Sequence, residues 1–171
     1  MRITVKMAFD EAGALRLLNW LARENAILLG EQPDLPLLYD SGVRYEREDD
    51  EVWCDFVNLL AQGHEDCDAL AAARAGELMA RGWKALRAGD EGYEAARWRR
   101  PRRIKAEVML TTRTRPGEPG LYHCIVRYRV GGRWYRDDPS ARLGMNGGRI
   151  DPLVQQRWAT RAGNTRAWRT A

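Results

Sequence analysis

Cysteine is scarce in this chain: three in 171 residues, Cys54, Cys67 and Cys124. An odd number at irregular spacing excludes a disulfide framework, and one reactive thiol with two buried, inert ones is the simplest reading. There is no C-x-x-C or H-x-x-x-H pair. A zinc site from Cys54, His64, Cys67 and His123 is therefore disfavoured, and no metal is expected. Long apolar runs are also missing: none approaches the roughly 18–20 residues of a membrane span, so no membrane contact is expected. The opening MRITVKMAF alternates like a strand and does not read as a secretory signal, which points to the cytoplasm. No stretch resembles a calcium loop, and no cofactor is implied.

What is present suits a single globular domain over residues 1–171, with 44% hydrophobic and 30% charged residues. Its charge is unevenly spread. Residues 1–90 carry 10 Lys/Arg against 17 Asp/Glu, whereas residues 91–171 carry 18 against 7. Such a split predicts one acidic and one basic face, the second suited to an anionic partner.

Patterning places a short strand at 2–9 and a helix after the N-cap Asp10, with a proline-containing connector following. A second helix fits Asp50 to Leu60, closed by Gly63. A third opens at Cys67 and runs through Ala-rich sequence to about Gly82. Asp55 and Glu77 read as solvated helix positions. Residues 87–103 are loop-like or partly helical. IKAEVMLTT then alternates as a strand, and LYHCIVRYRV-GG-RWYRDD reads as a two-residue-turn hairpin. Asp151-Pro152 signals a last helix. The layout is α+β: a helical part at about 10–90, a sheet part at about 104–141, and a basic tail at 142–171.

The most specific chemical signal is Cys67, His123 and Asp138. A thiol in the first turn of a helix meets unpaired N–H groups and a partial positive charge, which favour thiolate. Glu65, Asp66 and Asp68 oppose this, so the nucleophile requires a neighbouring imidazolium. If Gly131-Gly132 forms the turn, Val130 pairs with Arg133, and His123 and Asp138 become diagonal neighbours on one sheet face. Asp137 and Cys124 then point to the other face, which makes Asp138 the orienting carboxylate and Cys124 a bystander. A Cys-His-Asp set of this kind performs nucleophilic acyl chemistry. His64 is a rival base, held too close in sequence to aim freely at the sulfur.

GVRYEREDDEVWCDFVNLLAQGHEDCDALAAARAGEL resembles the nucleophile region of transglutaminase-like proteins, and HCIVRYRVGGRWYRDDPS resembles their histidine–aspartate motif. His64-Glu65-Asp66 precedes the cysteine where Gly-Asp is usual, and Ile125 stands where an aromatic is usual. The resemblance implies a papain/transglutaminase-like fold with a nucleophile helix packed on an antiparallel sheet. It assigns Cys67 as nucleophile, His123 as base and Asp138 as orienter, working through a thioester on peptide or amide bonds. The oxyanion hole would use the Cys67 N–H with a side-chain donor, Trp53 or Gln62. Small proteins of this kind also resemble bacteriophage-encoded chains, which adds a structural or assembly role as a virion component.

A third reading comes from Arg97, Trp98, Arg99, Arg100, Arg102, Arg103 and Lys105. Six cations in nine residues suit a phosphate backbone, with Trp98 stacking on a base, or an acidic protein or subunit neighbour.

Overall fold

The computed structural model describes residues 10–47, 52–113 and 121–145. The expected N-terminal strand and the C-terminal helix lie outside these residues. Within them the chain is α+β, with a three-stranded antiparallel sheet and a short parallel pair.

Helix α1 (Glu11–Glu31) starts where expected, because the Asp10 carboxylate accepts from the Gly13 N–H at 2.7 Å. Its buried positions Leu18, Ala22, Asn25 and Leu29 repeat at helical spacing and lie against α3 (Cys67–Arg81). There α3 offers Gly76, where a Cβ would fall 2.6 Å from the Asn25 Cβ and 2.7 Å from the Ala22 carbonyl oxygen. Glycine at this crossing, with Ala69, Ala71, Ala72, Ala73 and Ala75 buried around it, lets α3 run through the interior enclosed on all sides.

The sheet covers one flank of α3. Strands β3 (Lys105–Arg113), β4 (Leu121–Val130) and β5 (Arg133–Asp137) lie in the order β3-β4-β5. Val130 pairs with Arg133, as the turn reading requires. Gly131 and Gly132 take φ of 58° and 89°, the left-handed conformations a two-residue hairpin turn needs. Ala106, Val108, Cys124, Val126, Tyr128 and Val130 form a core with Leu18, Ala22 and Ala75. On the opposite flank of α3, Leu29, Leu38, Tyr39, Phe56, Leu59, Leu70 and Leu143 make a second cluster.

Helix α2 (Phe56–Gln62) is shorter than the pattern suggests, and Asp55 is its N-cap, accepting from the Asn58 N–H at 2.9 Å. The preceding residues are held away from helix geometry because their side chains reach the start of α3. The Trp53 indole donates to Asp68, and the Cys54 thiol to Glu65 at 3.1 Å. Gly63 ends α2 in the left-handed conformation, as expected. Strands β1 (Arg44–Tyr45) and β2 (His64–Glu65) then pair in parallel immediately before Cys67. The Tyr45 N–H bonds the Leu143 carbonyl at 2.9 Å, tying this pair to the end of α5 (Pro139–Arg142). Residues 87–103 contain one helix, α4 (Tyr93–Arg99).

Glu77 is fully buried, contrary to the solvated position its spacing suggested. It belongs to a polar cluster around the equally buried Arg74. The Arg74 guanidinium donates to Asp137 at 2.7 Å, Glu77 at 2.5 Å, the Ala85 carbonyl at 2.8 Å and Asp90 at 3.3 Å. Arg142 hydrogen-bonds Asp90 at 2.5 Å and forms an ion pair with Asp137 at 3.1 Å, and Tyr39 lies under both guanidinium groups. Burial raises the Glu77 carboxyl pKa, and Arg74 pulls against that shift. Arg74→Met should destabilise the protein by about 3–5 kcal/mol, because it removes the buried cation that three carboxylates share. Urea unfolding followed by far-UV circular dichroism measures the loss.

Candidate active site

Cys67 occupies the first position of α3, behind the N-cap Asp66, whose carboxylate accepts from the Asp68 N–H at 3.3 Å. The first-turn N–H groups of a helix have no intrahelical acceptor and carry the positive end of its dipole. Cys67 is partly exposed, whereas Cys124 is buried. Cys67 packs against the core cluster that contains Cys124 of β4, and the Cys124 thiol and the adjacent His123 ring both act to lower its pKa.

The His123 Nε2 lies 2.8 Å from an Asp138 carboxylate oxygen. With Nε2 so engaged, Nδ1 is the ring nitrogen left to face Cys67. The other Asp138 oxygen accepts from the Ala141 N–H at 3.0 Å and caps α5. Both oxygens are therefore fixed, one by the histidine and one by a helix start. Asp137, one residue earlier, points to the opposite face and meets Arg74. The alternation predicted from the hairpin register thus separates a structural aspartate from a site aspartate.

The electrostatics follow from these contacts. The Cys67 thiol is lowered to about 5, chiefly by the Cys124 thiol, against desolvation, and further by the His123 ring. Asp66 pushes the other way, as the sequence suggested, and is outweighed. His123 is raised to about 9, first by Asp138 and then by Cys67. The Cys124 thiol is raised strongly because it donates to the Cys67 sulfur. At pH between about 5 and about 9 these shifts favour a Cys67 thiolate beside a His123 imidazolium, with Cys124 keeping its proton.

Cys124 is not a bystander, which corrects the sequence reading. The register places it on the face opposite His123; in the structure that face packs on α3, whose first residue is Cys67. Cys54 is partly exposed and bonded to Glu65. His64 lies 3.8 Å from Glu46. Among the described residues no group of three or more His, Cys, Asp or Glu side chains could hold a metal ion. The Trp53 indole N–H is given to Asp68. Gln62 is exposed at the end of α2.

Arg97, Trp98, Arg99, Arg100, Arg102, Arg103 and Lys105 are all exposed, Trp98 at 84%. The structure extends this run onto the hairpin. Lys105 and Arg127 lie 5.5 and 4.9 Å from the centre of the exposed Trp134 ring. Arg100 lies over Trp83 at 5.8 Å, and Arg99 abuts Gly131. The strand pairing puts Lys105, Arg129 and Trp134 in one row and Glu107, Arg127 and Arg136 in the next. By period-two alternation both rows share the sheet face that carries His123.

Asp138→Asn keeps a cap acceptor but removes the anion. The His123 ring should then titrate well below about 9, toward its ordinary 6.5, read from its ring proton shifts by NMR. No family model matches the chain, and no curated protein or solved structure matches it either.

Proposed function

We propose that this protein is a cysteine hydrolase or acyl transferase of the papain/transglutaminase-like architecture, acting on peptide or amide bonds. The observation that carries the reading is the His123 ring, held by Asp138 at 2.8 Å and raising the acidity of the Cys67 thiol at the start of α3. The Cys67 thiolate attacks the carbonyl carbon of the scissile amide, and its oxygen becomes an oxyanion within reach of the first-turn N–H of α3. His123 gives its proton to the departing amine as the C–N bond breaks, leaving a thioester on Cys67. The now neutral imidazole takes a proton from water or from an acceptor amine, and the second attack releases Cys67. Asp138 keeps the ring oriented and favours its charged form throughout.

Partial exposure of Cys67 favours this reading over a purely structural or virion role, because a sealed thiol meets no substrate. The two predicted titrations bound the working range. Below about 5 the nucleophile protonates, and above about 9 the imidazolium loses the proton the leaving amine needs. Iodoacetamide alkylation of Cys67 should therefore begin near pH 5. In His123→Ala its midpoint should move upward, and an unchanged profile would refute the catalytic assignment. Hydrolysis of a peptide library should lose roughly 10²–10⁴-fold in kcat/KM in the same variant, with Cys67→Ala inactive.

The belt from Arg97 through Lys105 to Trp134 supports a second reading, as the docking surface for an acidic protein partner or subunit neighbour. Its cations are concentrated around exposed tryptophans, the residue types that anchor interfaces. Arg102→Glu/Arg103→Glu should weaken binding of a glutamate-rich peptide, measured by fluorescence anisotropy. Steeper, salt-sensitive binding of single-stranded oligonucleotides would assign the belt to nucleic acid instead.

A further inference from the structure

In the proposed reaction Cys67 and His123 react, and the second thiol only helps to lower the Cys67 pKa without forming or breaking a bond. Cys124 is 3% exposed, sits in β4 next to His123, and belongs to the core cluster against which Cys67 packs, with each thiol acting on the other's ionisation. Two thiols in contact, one of them ionised and reachable from solvent, form a pair in which the first is oxidised and the second resolves it. Cys54, engaged with Glu65, is not part of this contact.

We propose that Cys124 is a resolving cysteine: a hydroperoxide converts the Cys67–Cys124 pair into a reversible disulfide that switches the nucleophile off and shields it from over-oxidation. The inference rests on Cys67 being the nucleophilic thiolate of the proposed function, but not on any substrate.

The chemistry balances in two steps. The Cys67 thiolate attacks one peroxide oxygen; the O–O bond breaks, hydroxide or alkoxide leaves, and Cys67 becomes a sulfenic acid. The sulfur is oxidised and the peroxide reduced. At that moment the negative charge that held the proton on Cys124 is gone. The Cys124 sulfur then attacks the sulfenic sulfur, the S–O bond breaks, and the hydroxyl leaves as water with the Cys124 proton. A dithiol reductant reverses the change and returns the thiolate.

The test treats the full-length protein with hydrogen peroxide and reads intact mass, followed by non-reducing peptide mapping. The wild type should lose two hydrogens, yield one crosslinked peptide joining Cys67 to Cys124, and recover alkylation of Cys67 after dithiothreitol. Cys124→Ser and Cys124→Ala should instead accumulate oxygen on Cys67, trapped first as a dimedone adduct and then as sulfinic acid that dithiothreitol does not reverse. Direct sulfinic acid formation at Cys67 in the wild type, or a crosslink through Cys54, would overturn the proposal. The wild-type crosslink is readable even if a Cys124 variant fails to fold. Alkylation at low pH is measured on the same samples. Normal alkylation without a crosslink sinks the resolving role alone, whereas loss of both sinks the nucleophile as well.

Discussion

The placement of the candidate site hangs on one buried cation. Arg74 stands mid-way along a helix that the rest of the protein encloses, and its guanidinium is shared among the end of β5, the segment after α3 and the helix's own Glu77. Glu77 in turn accepts from the Leu38 N–H at 2.7 Å, so the connector after α1 is anchored to the same point. A buried guanidinium is costly to desolvate, and that cost is offset only when its donors are satisfied in their fixed fork geometry. Such a group specifies how the surrounding segments sit, because few arrangements of three carboxylates and a carbonyl satisfy it.

That constraint reaches the site through the neighbouring aspartates. Arg74 holds Asp137, and strand alternation delivers Asp138 to the other face, where α5 begins and His123 waits. At the far end of the path, β1, β2 and the Trp53–Asp68 contact fix the start of α3. The proposed nucleophile, Cys67, and its proposed orienter, Asp138, are thus placed from opposite ends of one hydrogen-bonded assembly, as a site needing sub-ångström alignment would require. The cationic belt, by contrast, stands on exposed surface and depends on none of these bonds.

The parts of the site that follow local rules were legible in the sequence. Gly131-Gly132 specifies the turn, the turn fixes the register, and the register distinguishes Asp138 from Asp137. Asp10, Gly63 and Asp66 mark helix ends through short-range hydrogen bonds that any sequence of that type makes. What could not be read depends on contacts distant in sequence. Glu77 looked solvated because a charged residue on a helix usually is, and only the enclosure of α3 buries it together with Arg74. The start of α2 was misplaced because Trp53 and Cys54 are drawn to Asp68 and Glu65, an attraction that periodicity does not encode. Cys124 was assigned to the right face, but that the same face meets the first turn of α3 is a fact of tertiary packing.

The two sulfurs and the imidazole also bear on how such a chain is made. Cys67 leaves the ribosome well before His123 and Cys124, which lie in the second half of the sequence. Until β4 packs against α3 the thiol has only its acidic neighbours for company, and these keep it protonated and chemically quiet. Closure of the sheet brings up the Cys124 thiol and the His123 ring that lower its pKa. On the proposed function, the nascent protein would carry no live nucleophile through the crowded stages of synthesis, and reactivity would arrive together with the finished fold.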